Sequence, residues 1–208
     1  MIQVPSDLPS RLVVAGIDTD AGKTVVSALL CLGLEADYWK PVQAGTVPTT
    51  DTETVQALTE LPDHRFHPET YRLELPASPH FAAAEEGVYI DPAAFKVPET
   101  PRRLIIEGAG GLMVPLNPTY MYVDLLAEWK LPVVLVARTY LGSINHSLLS
   151  IEALKRRDIP VAGLIFNEGG RPESEAVIAE YGDVPVWGHV PQLKEVNRAS
   201  LMRVWKSW

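Results

Sequence analysis

A glycine, a lysine and a threonine in succession near the amino terminus have the chemistry that holds a nucleotide phosphate. They close the stretch AGIDTDAGKT at residues 15–24, after the apolar run RLVVAGI and at the start of the helical pattern TVVSALLCLGL. Where a helix begins after such a turn, its backbone N–H groups and its dipole attract phosphate oxygens. We predict that Lys23 reaches the β- and γ-phosphates and that the Thr24 hydroxyl ligates Mg²⁺.

This loop departs from the common phosphate-binding pattern G-x-x-x-x-G-K-S/T in two ways. Counted from Gly16 it is one residue longer, and Ile17 stands where the first glycine is expected. It also contains two acids, Asp18 and Asp20, although it should attract anions. We interpret Ile17 as a continuation of the preceding strand. The loop residues predicted to bind the nucleotide beside Lys23 and Thr24 are Asp20, Ala21, Gly22 and Val25.

Two further apolar runs end in a charged residue that could join the phosphate loop. Glu107 lies in LIIEGAGG, before three glycines that let a ligand approach the backbone, and Lys40 lies in YWKPVQAG. The carboxyl ends of parallel strands face the ligand crevice. We therefore predict that Glu107 binds Mg²⁺ and that Lys40 stabilises charge developing in phosphoryl transfer. A solvated acid and a surface lysine on an edge strand remain the alternatives on pattern alone.

Apolar runs alternate with helical patterns along most of the chain. Strands are predicted at residues 11–17, 36–42, 102–108, 132–137, 161–167 and 184–190, and helices at 24–34, 51–61, 122–129, 143–157 and 172–182. The strands are apolar throughout, as in a parallel sheet covered on both faces. We predict a single domain over residues 1–208 with a doubly wound α/β fold like that of P-loop NTPases, in which a mostly parallel sheet carries helices on both faces.

Three local expectations accompany this fold. Asp51 is the predicted N-cap of the helix at 51–61. Residues 62–81 are rich in proline, histidine and acids, which favours a loop over the site. Residues 91–101 hold three prolines where a crossover helix would normally run, so no full helix is expected there.

Composition limits the classes of function. The 208 residues carry a formal net charge of −8, and no lysine and arginine cluster stands out in the middle of the chain, so we expect no nucleic-acid partner. Cys31 is the only cysteine, no secretory signal pattern is visible and the apolar runs are short, which favours a cytoplasmic protein without a membrane partner. The final segment NRASLMRVWKSW is basic and amphipathic, as in a helix that lies on a membrane, but we expect it to pack on the domain or on the dimer.

Seven motifs, taken in order, resemble the dethiobiotin synthetase family. They are GIDTDAGKT, YWKPVQAG, PASPHFAA, IEGAGGLMVPL, VVLVARTYLGSINHSLLSIEAL, GLIFNE and GHVPQL, and they run from about residue 12 to residue 193. The resemblance implies an ATP- and Mg²⁺-dependent ligase that forms C–N bonds in a ring. It would carboxylate 7,8-diaminononanoate with CO₂, phosphorylate the carbamate and close the cyclic urea, giving dethiobiotin, ADP and phosphate. Because both amines are held together, the closure is intramolecular.

The resemblance also implies roles for residues at matching positions. The implied catalytic residues are Thr19, Lys23 and Lys40, and the implied Mg²⁺ ligands are Thr24, Asp51 and Glu107. The implied nucleotide-binding residues beyond the loop are Asp51, Glu107, Gly108, Ala109, Gly110, Asn167, Glu168, Pro191, Gln192 and Leu193. The implied substrate-binding residues are Thr19, Lys40, Ala44, Ser78, Pro79 and Gly110, with Gly142, Ser143, Ile144 and Asn145 from the second subunit of a homodimer that shares its active site. A helix N-terminus such as the one predicted at 143 suits a carboxylate.

Three departures from the family pattern and two alternatives qualify this interpretation. Ala44 stands where family members commonly have serine or threonine, Asp20 replaces the commoner glutamate, and the proline-rich stretch 91–101 is shorter than the usual helical crossover. We hypothesise that Asp18 and Asp20 balance the lysines of the site or face the substrate amines. The alternative function is an ATP-dependent dimer switch of the partition and division-site type. Those ATPases carry an additional lysine early in the loop, in the form KGG-x-GKT, which this loop lacks. Corrin amide synthetases fit poorly, because they usually carry a second domain with a catalytic cysteine.

Overall fold

The structure is a computed structural model, and it describes residues 8–168 and 170–208. Within these ranges the strands are β1 Arg11–Gly16, β2 Asp37–Trp39, β3 Val42–Ala44, β4 Phe66–His67, β5 Tyr71–Leu73, β6 Leu104–Gly111, β7 Pro115–Asn117, β8 Tyr120–Met121, β9 Val133–Arg138, β10 Val161–Asn167 and β11 Val186–Val190. The helices are α1 Lys23–Gly33, α2 Asp51–Thr59, α3 Pro79–Glu85, α4 Tyr122–Trp129, α5 Ser143–Lys155, α6 Pro172–Gly182 and α7 Arg198–Lys206. Short 3₁₀ turns span Thr19–Ala21, Asp63–Arg65 and Pro92–Ala94.

The central sheet has seven parallel strands in the order β11–β10–β9–β1–β6–β2–β4. Successive residues of a strand point to opposite faces, so neighbours such as Val13 and Val14 belong to two different apolar clusters. Helices α4, α5 and α6 contribute to the first cluster, and α1, α2 and α7 contribute to the second. The predicted doubly wound α/β fold is confirmed, with the antiparallel pairing confined to the small β7–β8 ribbon among the described residues.

The order of three strands brings the predicted site together. Strand β6 lies between β1, which leads into the phosphate loop, and β2, which leads to Lys40. Val14 of β1 pairs with Glu107 of β6, and Trp39 of β2 pairs with the preceding Ile106. The three strands run in parallel, so the residues that follow them emerge at one edge of the sheet.

The predicted strand at 36–42 is interrupted. Strand β2 ends at Trp39, and Pro41, which has no N–H to donate to the sheet, separates it from β3. The carbonyl of Pro41 accepts from the backbone N–H groups of Thr70 and Tyr71 instead. Strand β3 then pairs with β5 in a separate two-stranded sheet that carries Ala44 over the site.

The prediction that residues 62–81 form a loop is wrong in part. Phe66 and His67 form strand β4, which extends the central sheet by pairing with β2, and α3 begins at Pro79. Strand β4 is short and takes its stability from long-range pairing with β2, so its local composition did not reveal it. The expectation of no full helix at 91–101 is confirmed, because only the turn at Pro92–Ala94 is present there.

Thr50, and not Asp51 as predicted, is the N-cap of α2. Glu53 N–H donates to Thr50 Oγ1 over 3.1 Å, and Thr50 N–H donates to a Glu53 carboxylate oxygen over 2.8 Å, which makes a capping box. Asp51 is the first helical residue. Its carboxylate is therefore not used as a cap and turns toward the phosphate loop.

The C-terminal helix α7 packs on the domain, as predicted. Leu201 and Val204 are buried in the second apolar cluster, and the indole of Trp205 lies over Gly33 of α1. The apolar face of this helix is thus covered by the chain's own core. No helix in the described ranges combines the length and apolarity needed to cross a membrane.

Candidate active site

The phosphate loop follows β1 directly and is held by its own side chains. Ile17 N–H donates to the carbonyl of Val136 on β9 over 3.1 Å, so Ile17 continues the strand's hydrogen bonding as interpreted from the sequence. The Asp18 carboxylate accepts from Thr19 N–H over 2.6 Å and caps the short turn that follows. The Asp18 carboxylate therefore has a local structural role. Within the described residues, Thr19 N–H is its hydrogen-bond donor.

Lys23 folds back over this loop. Its ammonium donates to the carbonyls of Asp18 over 3.0 Å and Thr19 over 3.1 Å, and only 5% of the residue is exposed. Burial, followed by the charge of Lys40, lowers the pKa of Lys23 to about 8. A Cβ on Gly16 would lie 2.7 Å from the Asp18 carbonyl and 3.1 Å from the Lys23 side chain, so the fold of the loop requires glycine there.

The three residues predicted to bind Mg²⁺ meet at the start of α1. Thr24 Oγ1 lies 3.0 Å from Asp51 Oδ1 and 2.9 Å from Glu107 Oε1. Glu107 is only 1% exposed. One hydroxyl and two carboxylates form the hard oxygen donor set that suits Mg²⁺ bound beside nucleotide phosphates, so the residues fit the ion. In the described part of the chain, no group of three or more His, Cys, Asp or Glu residues could hold a metal.

Lys40 lies between the two carboxylates and is not a surface lysine. Its ammonium is 2.6 Å from Asp51 Oδ2, 3.2 Å from Glu107 Oε1 and 2.9 Å from the carbonyl of Gly108. Burial alone would lower the pKa of Lys40, but the charges of Glu107 and Asp51 outweigh it and raise the pKa above its usual value. In turn, burial would raise the pKa of Asp51, but Lys40, together with the Thr24 hydroxyl and the charge of Lys23, lowers it below its usual value. The site therefore holds Lys40 charged and Asp51 ionised.

Two residues that the sequence interpretation missed hold the acids in position. The Tyr38 hydroxyl donates to Glu107 Oε2 over 3.0 Å, and burial, followed by the charge of Glu107, raises the pKa of Tyr38 well above its usual value. Gln43 Oε1 accepts from the backbone N–H of Asp51 over 3.1 Å, and its amide nitrogen donates to the Gly45 carbonyl over 2.8 Å. Tyr38 precedes Lys40 by two residues in the segment predicted as one strand, so period-two spacing was a signal that could have identified it.

The phosphate loop, both lysines, the two acids and Gln43 line one cleft of about 750 Å³ at the carboxyl edge of the sheet. The cleft joins the phosphate loop and the acids to the predicted substrate residues from the β3 and α3 segments. Of the predicted site residues it brings together Thr19, Asp20, Gly22, Lys23, Thr24, Lys40, Ala44, Asp51, Ser78, Pro79, Glu107, Ala109 and Gly110. The volume suits a small-molecule ligand.

The residues predicted to read the base do not line this cleft, although Asn167 lies beside the phosphate loop. The amide of Asn167, at the end of β10, packs over Gly22: a Cβ added to Gly22 would lie 2.1 Å from Asn167 Nδ2. Glu168 follows with its carboxylate 3.5 Å from Arg138 Nε. Six other residues predicted to bind the nucleotide also lie outside the cleft. Ala21, Leu193 and the half-buried Val25 belong to or pack on the second apolar cluster, and Pro191 and Gln192 are exposed. The sixth is Gly108.

The predicted carboxylate site at the start of α5 also lies outside the cleft. Gly142 adopts a φ of 102°, and the buried Ser143 accepts from Tyr140 N–H over 3.2 Å. Ile144 is half-buried and Asn145 is exposed. Within one chain, therefore, these four residues do not line the cleft that contains Lys23 and Thr24.

A phosphate loop after a central parallel strand, with an acid on the adjacent strand, defines the chain as a P-loop nucleotide-binding protein. A family model described as an AAA domain matches residues 10–200. Within this class, the chain belongs to the family of ATP-dependent dethiobiotin synthetases. It is 52% identical over 197 residues to the ATP-dependent dethiobiotin synthetase BioD of Rhodopseudomonas palustris (strain BisB18), over 95% of this chain and 94% of the relative. It is 53% identical over 190 residues to that of Rhizorhabdus wittichii, over 91% of each chain.

Two solved structures with a similar fold belong to other families. The ParA family ATPase from Chlorobium tepidum TLS matches with a TM-score of 0.56 at 14% identity, over 95% of this chain and 91% of that one. The septum site-determining protein MinD from Pyrococcus horikoshii OT3 matches with a TM-score of 0.53 at 13% identity, over 95% of both chains. At these identities the likeness extends to the fold alone. It does not favour the dimer-switch alternative over the synthetase family.

Proposed function

We propose that this chain catalyses the ATP-dependent synthesis of dethiobiotin. One amine of 7,8-diaminononanoate takes up CO₂ as a carbamate, and the γ-phosphate of ATP is transferred to a carbamate oxygen. The second amine then attacks the carbonyl carbon and expels phosphate, which completes the two C–N bonds of the cyclic urea. The observation that carries the proposal is the cleft itself, because the phosphate loop, Lys40 and the substrate residues implied by the family line one cavity.

Lys40 is the residue we propose for stabilising charge on the carbamate and the transferred phosphate. Its ammonium is buried and its pKa is raised, so it is charged at neutral pH at the meeting point of the loop and the acids. Lys23 supplies a second positive charge from the phosphate loop. Thr19 is proposed to contact the substrate together with Gly110: a Cβ on Gly110 would lie 3.6 Å from Thr19 Oγ1, so the two residues adjoin in the cleft.

Mg²⁺ is the proposed cofactor, held by Thr24, Asp51 and Glu107. The support is the donor set, in which the Thr24 hydroxyl already lies within 3.0 Å of an oxygen from each carboxylate. When bound, the ion would supply positive charge to the β- and γ-phosphates. The chain holds these oxygens together at the end of the phosphate loop. The Tyr38 hydroxyl holds the Glu107 carboxylate, and Gln43 holds the backbone of Asp51.

The nucleotide base is proposed to lie beyond Gly22, against Asn167 and the segment that follows β11. Asn167 supports this because its amide packs directly over the loop and can both donate to and accept from a base edge. We further propose a homodimer in which Gly142, Ser143, Ile144 and Asn145 of each chain complete the other chain's substrate site. A single synthetase domain and a cytoplasmic location, without nucleic-acid or membrane partners, remain predictions.

A coupled assay tests the proposed reaction. Purified protein with ATP, Mg²⁺, bicarbonate and 7,8-diaminononanoate should release phosphate and form the cyclic urea in equal amounts, as judged by mass spectrometry. Omission of the diamine should abolish phosphate release above background. Phosphate release that is indifferent to the diamine would contradict the synthetase assignment and return the dimer-switch ATPase to consideration.

A further inference from the structure

Tyr38 contacts the carboxylate oxygen of Glu107 that the phosphate loop does not contact. The tyrosine is 1% exposed on strand β2 of the central sheet, where it pairs with Ile105 of β6, two residues before Glu107. Its hydroxyl lies 3.0 Å from Glu107 Oε2. The ring is packed beside Phe66, with ring centroids 6.0 Å apart. The phenol is therefore held in place by the core and points along the sheet toward the acid.

The two oxygens of Glu107 have different partners. Oε1 accepts from Thr24 Oγ1 over 2.9 Å and from the Lys40 ammonium over 3.2 Å, on the cleft side. Oε2 accepts from Tyr38, which is its only donor among the described residues. The hydroxyl of Tyr122, although buried close by, has no hydrogen-bond partner in the described ranges. The terminal torsion of a glutamate is broad, so a fixed donor on one oxygen selects one orientation of the carboxylate.

We propose that Tyr38 is a positioning residue that sets the orientation of the Glu107 carboxylate, so that Oε1 faces the cleft and the divalent cation. The proposal deepens the proposed function and rests on its metal site. Tyr38 does not touch the substrate or the phosphates and acts only through Glu107. Groups that orient metal ligands in this way commonly contribute 10- to 100-fold, in order of magnitude, to metal affinity.

The experiment compares Tyr38→Phe, which keeps the packed ring, with a matched variant that loses a phenol elsewhere. Tyr71→Phe serves as the control, because the Tyr71 hydroxyl accepts from Asp91 N–H over 2.9 Å outside the cleft. Mn²⁺ affinity is measured by electron paramagnetic resonance on the full chain with ADP saturating. ADP affinity without metal is measured in parallel by calorimetry.

We expect Tyr38→Phe to weaken Mn²⁺ binding by about ten-fold or more, while metal-free ADP affinity changes by less than about two-fold. Tyr71→Phe should leave both affinities unchanged. In a Glu107→Gln background, which already lacks the carboxylate, adding Tyr38→Phe should weaken Mn²⁺ binding by less than about two-fold.

Two results would overturn the proposal. Unchanged Mn²⁺ affinity in Tyr38→Phe would show that the phenol serves packing alone. If Tyr38→Phe weakened Mn²⁺ binding equally in the wild-type and Glu107→Gln backgrounds, Tyr38 would act through the fold and not through Glu107. A failure of the proposed metal site would give different results. The unmodified chain with ADP would then bind no Mn²⁺, or the Glu107→Gln variant would bind Mn²⁺ as tightly as the unmodified chain. Either result would also overturn the proposed role of Tyr38.

Discussion

The ammonium of Lys40 lies 2.6 Å from Asp51 Oδ2, and this ion pair connects two segments of the cleft that are separate in sequence. Lys40 follows strand β2 of the central sheet, and Asp51 begins helix α2. The pair places a charged lysine beside the acid proposed to hold the metal. The first prediction concerns this lysine.

Lys40→Ala should lower turnover by ~100-fold or more, because charge on the carbamate and the transferred phosphate loses its nearest buried cation. ADP binding should survive at least partly, since Lys23 and the phosphate loop remain. Steady-state kinetics with the diamine and calorimetry with ADP measure the two quantities. Lys155→Ala, which removes a half-exposed lysine near Asp183, is the control and should leave turnover unchanged. Normal turnover in Lys40→Ala would remove Lys40 from the mechanism.

Lys23 should set the upper pH limit of nucleotide binding. Burial and then the charge of Lys40 lower its pKa to about 8, while Glu107, Asp51 and Asp18 act in the opposite direction. Phosphate favours the charged lysine, so ADP affinity should be full below about pH 8 and fall as the pH rises above it. Calorimetry of ADP without metal between about pH 7 and about pH 9.5 measures this.

The control for this pH dependence is Lys23→Arg, whose guanidinium stays charged over the whole range. Its ADP affinity should not fall across the same pH interval. A wild-type profile as flat as that of the arginine variant would contradict the assignment of the titration to Lys23.

Gly22 has no room for a side chain. It adopts a φ of 93°, and an added Cβ would lie 2.1 Å from Asn167 Nδ2 and 2.7 Å from Asn167 Cγ. Gly22→Ala should therefore lower the free energy of unfolding by about 2 kcal/mol or more and weaken ADP binding by about ten-fold. Gly87→Ala is the control for backbone strain without a steric clash, because Gly87 has a φ of 66° and nothing lies within 4 Å of an added Cβ. This variant should lower the free energy of unfolding by about 1 kcal/mol and leave ADP affinity unchanged.

Leu201 anchors helix α7 in the second apolar cluster and is fully buried. Leu201→Ala should lower the free energy of unfolding by about 2 to 5 kcal/mol through lost burial and the cavity left behind. Leu141→Ala, at a residue 94% exposed, should change it by less than about 0.5 kcal/mol. Urea unfolding of the two variants measures the difference. A Leu201→Ala chain as stable as the Leu141→Ala chain would contradict the docking of α7 on the domain.

The sequence by itself determined the elements whose patterns are local. Strand β10 and helices α4 and α6 have the predicted bounds, because an apolar run or a helical stripe of that length needs no partner to be recognised. The phosphate loop could be predicted for the same reason: the turn, the lysine and the threonine are consecutive. The chemistry expected of Lys40 and Glu107 also followed from their places after apolar runs.

Only the tertiary structure decided which groups meet. The strand order places β6 between β1 and β2, and this order depends on pairings between residues far apart in the chain, as Val14 and Glu107 are. The short strands β4 and β5 exist through such pairings, so composition alone predicted a loop. The tertiary structure also shows that Thr50 caps α2, that the Asp51 carboxylate lies in the site, and that the Tyr38 hydroxyl donates to Glu107. Those contacts depend on register and side-chain direction, which local sequence patterns do not contain.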